Sequence, residues 1–388
     1  MSRILVLNAG SATLKFGLYG EGGGELRGLV ERVGQLPTLR LLDGELDPSG
    51  FAPPSSDHGG VAEALLAWLE ERGCLAGLAG VGHRVVHGGT ELADPVRLDD
   101  ARLAYLASLE PLAPLHQPQS LAIIRTLRER HPRLAQVACF DTAFHRSQPR
   151  IHQLFALPRQ LADEGILRYG FHGLSYAHVA RRLPDVVGET RARGRVVIAH
   201  LGQGCSLCAL QGGHSLTTSM GFTALDGMMM GSRCGSLDPG VVLHLQQQRG
   251  LSAAEVERLL YRDSGLLGVS GISADMRDLL ESDHPNAREA VALFIERLLR
   301  EIGALVALLG GLDALVFTAG IGEHADEIRL RTAKRLDWLG VTLDTAANRR
   351  HDLRIDRGRG PALAVIPTDE EGEIARATRI CLGASSPR

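Results

Sequence analysis

Residues 4–19 read ILVLNAGSATLKFGLY. Apolar runs at 4–7 and 16–19 flank a polar turn that carries Asn8, Gly10, Ser11, Thr13 and Lys15. Apolar strand, small-residue turn, apolar strand is the pattern of a β-hairpin. Lys15 is one of two lysines, with Lys334, against forty arginines. A compact ammonium kept at a Gly/Ser turn suits a phosphate oxygen. The plainer reading is an ordinary hairpin with a stray lysine. The same plan recurs at 195–210, RVVIAHLGQGCSLCAL, and a third glycine turn, FTAGIGEHADE at 317–327, joins a strand to a helix. Exposed backbone N–H groups at such turns attract phosphate. Three of them, two built alike, point to a nucleotide held in a cleft between two related halves.

Length and composition bound the rest. The chain has 388 residues, which exceeds what one hydrophobic core usually serves, so two domains are expected. With 4% aromatics, a net charge of −3 and no basic stripe, nucleic acid is an unsuited partner. The N-terminus runs directly into a strand, without the features of a signal peptide. The longest apolar helix candidate, 287–309, carries Arg288, Glu289, Glu296, Arg297, Arg300 and Glu301, too many charges for a membrane span. The expectation is a cytoplasmic protein. Cys205 and Cys208 form a C-x-x-C pair with no second ligand pair, and on a strand they read as buried small hydrophobes.

Helical periodicity falls at 61–71, 120–130, 175–182, 240–248, 253–262, 287–309 and 326–336. Strand-like runs fall at 4–7, 16–18, 82–86, 135–140, 196–200, 206–210, 314–317 and 362–366. Alternation of the two predicts an α/β protein with mixed sheets. Residues 20–58 read as an antiparallel excursion, and the polar segment 142–150 as a domain junction.

The segment 217–240, TTSMGFTALDGMMMGSRCGSLDPG, is neither helix nor regular strand, and irregular stretches of this length are usually functional. It carries Arg233 among glycines. In GHRVVHGG (82–89) Arg84 lies in an apolar strand, where a guanidinium can grip a carboxylate in bidentate fashion, while His83 and His87 read as core histidines. FDTAFH (140–145) ends a strand with Asp141, and RYGFHGLS (168–175) places His172 before a helix. Cations at Arg84, His172 and Arg233 with one acid at Asp141 suit an anionic transition state.

These motifs together resemble the acetate kinase family, the acyl-phosphate-forming branch of the superfamily that holds sugar kinases, actin and chaperone ATPases. LNAGS-x-x-LK, GHRVVHGG, FDTAFH, YGFHG, HLG-x-G, TSMGFT-x-L-x-G-x-MMG-x-R-x-G, FT-x-GIGE and IPT-x-EE occur in the family's order from residue 4 to about residue 377. The resemblance implies two ribonuclease-H-like domains with mixed sheets flanked by helices and the active-site cleft between them. The N-terminal domain would span 1–145, with a C-terminal helix at about 369–388 packing back on it. The C-terminal nucleotide-binding and dimerisation domain would span 146–368. It implies reversible transfer of the ATP γ-phosphoryl group to acetate, with Mg²⁺, or Mn²⁺ in its place, in a homodimer. Asn8 and Glu370 would hold the metal; Ser11, Thr13 and Lys15 would line the phosphoryl path. Asp141 would be the catalytic acid, with His172 and Arg233 stabilising the transferring group. Arg84 would bind the substrate carboxylate, His116 would be a further histidine of the substrate site, and Val86, Leu115, Phe171 and Ala224 would surround the methyl group. Nucleotide would contact His200, Leu201, Gly202, Gln203, Gly204, Asp275, Met276, Arg277, Gly320, Ile321, Gly322, Glu323 and His324.

An acyl acceptor is already an anion at neutral pH, so Asp141 has no proton to remove from it and reads as a group that positions Mg²⁺ or arginine. The chain departs from the family's usual residues at Ala12 (Ser), Gln203 (Asn), Thr217 (Asp), Ala224 (Pro) and in Gln117, Gln119 and Ser120 after His116. Propionate or butyrate kinases, and a non-acyl nucleotide-gated ATPase, are the alternative readings.

Overall fold

The structure, a computed structural model, describes residues 3–43, 46–114 and 116–383. The chain divides into two units, Met1–Ala143 with Asp369–Arg388, and Phe144–Thr368.

The first unit is built on a seven-stranded sheet in the order β4-β3-β2-β1-β5-β7-β6. The strands are β1 (Arg3–Ala9), β2 (Thr13–Gly20), β3 (Gly23–Glu31), β4 (Thr38–Asp43), β5 (Leu78–Val85), β6 (Val96–Arg97) and β7 (Gln136–Phe140). β1 is central because Ile4, Leu5, Val6 and Leu7 are buried on both faces, the pattern of a strand covered on either side. The opening hairpin pairs β1 with β2 in antiparallel register, Asn8 opposite Lys15. β3 and β4 form the antiparallel excursion expected of residues 20–58. Val81 turns to a core shared with the helices His58–Glu71 and Gln117–Arg130, among them Leu65, Ile123 and Leu127. Gly82, the next residue, turns to the opposite face. There a Cβ would collide with Thr378 and Ile374 of the helix Glu370–Cys381, so only glycine lets that helix approach.

The second unit repeats the plan. Its strands are β8 (Arg195–Leu201), β9 (Cys205–Gln211), β10 (His214–Thr218), β11 (Ala314–Thr318) and β12 (Ala362–Val365), in the order β10-β9-β8-β11-β12. Antiparallel β10/β9 and β9/β8 followed by parallel β8/β11 and β11/β12 match β3/β2, β2/β1, β1/β5 and β5/β7 in order and sense. This is the duplicated ribonuclease-H-like core, and it accounts for the echo between residues 4–19 and 195–210. The helix Gly173–Val187 buries Tyr176, Val179 and Leu183 against Val196, Ile198, Val316 and Ala364, and the helix Pro285–Leu309 packs on β8 and β9.

The seven periodic segments are all helices, and five of them start one to three residues earlier than expected, after caps such as Asp57, which accepts the Gly60 N–H, and Asp238 before Pro239. The helix Asp100–Ser108 lies outside those segments, and only Leu106 in it is buried. Cys205 and Cys208 are free and buried in β9, and burial pushes both thiols up to about 12.

Candidate active site

In the first unit the C-terminal ends of β1, β5 and β7 bring Asn8, Arg84 and Asp141 together. Asp141 follows β7, and its backbone N–H donates to the Val85 carbonyl, which seats it beside β5. Arg84 Nε lies 3.0 Å from Asp141 Oδ1, and Nη2 lies 2.6 Å from Oδ2, a bidentate fork on a carboxylate that is almost fully buried. Nη1 donates to Asn8 Oδ1 at 3.3 Å, and Asn8 Nδ2 donates to Glu371 Oε1 at 2.7 Å. Glu371 also faces Lys15, its Oε1 3.9 Å from Nζ. Burial works against the Arg84 charge, but the Asp141 carboxylate more than reverses this, so the guanidinium stays ionised. Glu370 opens the C-terminal helix beside these groups. Desolvation raises its carboxyl; Arg84 and Lys15 pull it down, Asp141 and Glu371 push it up, and the net shift is upward.

Asn8, Asp141, Glu370 and Glu371 form a set of oxygen donors of the kind a hard divalent cation takes. No three His, Cys, Asp or Glu side chains come together as a ready-made metal cage among the described residues. That combination fits Mg²⁺, which is commonly held by one or two carboxylates, several waters and substrate phosphates. Two neighbouring carboxylates and the upward shift of Glu370 mark the place where a cation would relieve charge repulsion.

In the second unit the β8–β9 turn, Gly202 to Gly204, lies beneath an imidazole and a guanidinium. A Cβ on Gly204 would lie 3.1 Å from His172 Nε2 and 3.4 Å from Arg233 Nη2, so both side chains point at the space the missing methyl leaves. Arg233 Nη1 donates to the Ala224 carbonyl at 2.6 Å, which braces the irregular segment 219–238 internally. Arg168 holds the same segment from outside, donating to the carbonyls of Ser219 and Met220 and to Asp226. His172 has a left-handed backbone, φ 59°, at the start of its helix, and its ring stacks on His200 with centroids 4.1 Å apart. His172 Nδ1 lies 2.8 Å from Ser206 Oγ, which also meets the hydroxyl of buried Tyr176.

β11 runs directly into the short helix Ala319–His324, with Ala319 at φ 64°. Glu323 Oε1 accepts the backbone N–H groups of Ala319 and Thr368, so this carboxylate pins the turn. Gly320 and His324 are exposed, Ile321 half-buried and Gly322 buried, its carbonyl accepting from the fully buried Arg329. Asp275 caps the helix Met276–Glu281 and forks the exposed Arg277 guanidinium, which presents that cation at the surface.

Of the remaining expected residues, Ser11 is exposed in the first turn, Thr13 is half-buried at the start of β2, Gln203 is exposed and Leu201 is buried. Val86 is buried in the first unit, Phe171 is buried and Ala224 half-buried in the second, and Leu115 lies outside the described residues. His116 is half-buried at the N-cap of the helix Gln117–Arg130. Gln117, fully buried, accepts the His87 N–H and donates to the His87 and Leu106 carbonyls, so this departure from the family has a structural task. The sequence reading passed over Glu371, Ser206, Tyr176, Ser175 and Thr368. The doubled acid in IPT-x-EE was the available signal for Glu371; single hydroxyls on apolar elements gave none.

The model of the Acetokinase family matches residues 3–376. The chain is 51% identical over 385 residues to an acetate kinase of Rhodopseudomonas palustris (strain TIE-1), covering 96% of each chain. It is 48% identical over 396 residues to an acetate kinase of Methylocella silvestris, covering 97% of this chain and 98% of that one. Among solved structures it is similar to a propionate kinase from Francisella tularensis, with a TM-score of 0.89, 34% identity and coverage of 97% and 99%. It is also similar to the Porphyromonas gingivalis acetate kinase, with a TM-score of 0.88, 33% identity and coverage of 98% and 100%.

Proposed function

The chain belongs to the acetokinase family, and on that premise we propose that it is an acetate kinase, transferring the γ-phosphoryl group of ATP reversibly to acetate to give acetyl phosphate and ADP. The observation that carries the chemistry is the preset placement of Arg84, forked on Asp141 in the first unit, and of Arg233 beside His172 over Gly204 in the second. A phosphoryl group in flight is metaphosphate-like and spreads negative charge over three equatorial oxygens, so positioned cations do most of the catalysis.

Arg84 meets the acceptor carboxylate, and Asp141 orients Arg84. The acceptor is ionised before it binds, so no step asks Asp141 for proton transfer. Mg²⁺, or Mn²⁺ in its place, would be held by Asn8 and Glu370 with Glu371 alongside, and when bound it would neutralise charge on the nucleotide phosphates. Lys15 with Ser11 and Thr13 lines the phosphoryl path. His200 to Gly204, Asp275 to Arg277 and Gly320 to His324 receive the nucleotide.

Ala224 supports a second reading, propionate as an additional acceptor, because a smaller wall admits one more methylene. That group is worth only about 1–3 kcal/mol in an apolar pocket, so the expectation is relaxed preference and not exclusion of acetate. A homodimer is supported by the helix Pro239–Gln247, none of whose residues is buried. The cytoplasm, where ATP is supplied, is the compartment this reading requires; no helix among the described residues is long and apolar enough to cross a membrane.

The test is hydroxylamine trapping of acyl phosphate with ATP and acetate, propionate or butyrate. Acetyl hydroxamate with a smaller propionyl yield is expected. No trapped product from any acid overturns the reading, and ATP hydrolysis without added acid favours the nucleotide-gated ATPase instead.

A further inference from the structure

His172 and His200 stack with an interplanar angle of 18°, and both send Nδ1 inward to a serine hydroxyl. The partner of His200 is Ser175, fully buried on the first turn of the helix Gly173–Val187, with Oγ 2.9 Å from Nδ1. Ser175 Oγ in turn accepts from Thr368 Oγ1 at 2.8 Å. Thr368 is itself fixed, because its backbone N–H donates to Glu323 Oε1 at 3.0 Å.

A hydroxyl has one hydrogen. Thr368 places its own on Ser175, and the buried Ser175 hydrogen then has His200 Nδ1 as its acceptor. A ring nitrogen that accepts carries no proton, so a neutral His200 must carry its proton on Nε2. We propose that Ser175 is a positioning residue which, with Thr368 upstream, fixes His200 as the neutral Nε2–H tautomer.

The consequence follows from where Nε2 lies. A Cβ on Gly202 would be 3.9 Å from His200 Nε2, so this nitrogen faces the β8–β9 turn as His172 Nε2 does at Gly204. The turn thus faces the N–H of a neutral imidazole. Two imidazolium rings 4.1 Å apart would repel each other, and the relay avoids that state. That His200 gives its Nε2–H to a nucleotide phosphate rests on the kinase reading above; the tautomer itself does not.

The experiment is ¹⁵N NMR of the whole chain labelled at histidine, at neutral pH without ligand, with the His200→Gln spectrum identifying the His200 signals. The expected result is an unprotonated Nδ1 and a protonated Nε2 for His200 in the wild type. Thr368→Ser should retain that signature, and Ser175→Ala should show a second population protonated on Nδ1, with KM for ATP raised about tenfold and kcat changed less. A wild-type His200 protonated on Nδ1 or on both nitrogens overturns the proposal, as does a Ser175→Ala spectrum identical to wild type. Because the wild-type spectrum needs no turnover, it stays decisive even if no acid is phosphorylated.

Discussion

Arg84 spends Nε and Nη2 on Asp141 and Nη1 on Asn8, so its orientation is set before any substrate arrives. Asp141→Asn keeps the shape and removes the charge that holds the fork. A fall in kcat of about 100-fold is expected, comparable to the loss of one preset transition-state donor, with KM for acetate also raised. The acid limb of the kcat/KM profile should keep its position; its disappearance in the variant would assign Asp141 the role of base. Lys15 is the second residue-scale test. Lys15→Arg preserves charge but puts a planar fork where a point charge faces Glu371, and about a tenfold drop in kcat is expected. Full activity would show the lysine is incidental. Glu370 titrates above its ordinary value in the folded chain because desolvation and its acidic neighbours outweigh Arg84 and Lys15. A raised carboxyl binds its proton more tightly folded than unfolded, so its contribution to stability is present at low pH and lost as pH rises through the folded value. Glu370→Gln should therefore melt higher than wild type at neutral pH, and the difference should vanish below the ordinary carboxylate range. Added Mg²⁺ should raise the wild-type melting temperature and leave the variant unmoved; an equal rise in both would remove Glu370 from the metal's ligands.

At the scale of elements, the two hairpins share a plan but differ in what their strands present. Asn8 stands one pair before the end of β1/β2, opposite Lys15, and His200 stands one pair before the end of β8/β9, opposite Ser206. One turn therefore presents an amide and an ammonium, the other an imidazole and a hydroxyl. Gly204 tests the second turn apart from folding. Its backbone is not left-handed, so alanine is conformationally acceptable, yet the added methyl meets His172 and Arg233. Gly204→Ala should melt close to wild type and lose more than tenfold in kcat; an unchanged kcat would show that the space under His172 and Arg233 is not used. This contrast also marks what was legible from sequence. The strands and long helices could be read because Ile4 to Leu7 and the apolar faces of the helices are buried as their periodicity demands. Arg84, Asp141, His172 and Arg233 could be named because charged residues on apolar or glycine-rich segments need a reason. Which acid meets Asn8 could not, because Glu370 and Glu371 are adjacent and only the helix's rotation against β1 gives the amide to Glu371. Ser175 and Thr368 were silent because a hydroxyl's task depends on partners 25 and 193 residues away in the chain.

At the scale of the whole molecule, the duplicated sheet leaves a surplus that neither core explains. The first unit's helices His58–Glu71 and Gln117–Arg130 bury apolar faces in its core. In the second unit the helix Pro239–Gln247 buries no residue at all, although its sequence, PGVVLHLQQ, is largely apolar. Val241 and Leu243, with Leu237 just before them, are 39%, 52% and 40% exposed. Exposing neighbouring branched aliphatics costs roughly 25 cal/mol per Å² that burial would recover, and contiguous exposed apolar groups mark association surfaces. A second copy of the chain would supply a matching face, since twofold contacts place the same patch on both partners. Sedimentation of the wild type should give a dimer, and Leu243→Arg should give a monomer with an unchanged far-ultraviolet circular dichroism spectrum, because the substituted side chain is 52% exposed and lies outside the subunit's core. If both proteins sediment as monomers the helix has another occupant, and if both sediment as dimers the contact lies elsewhere on the surface.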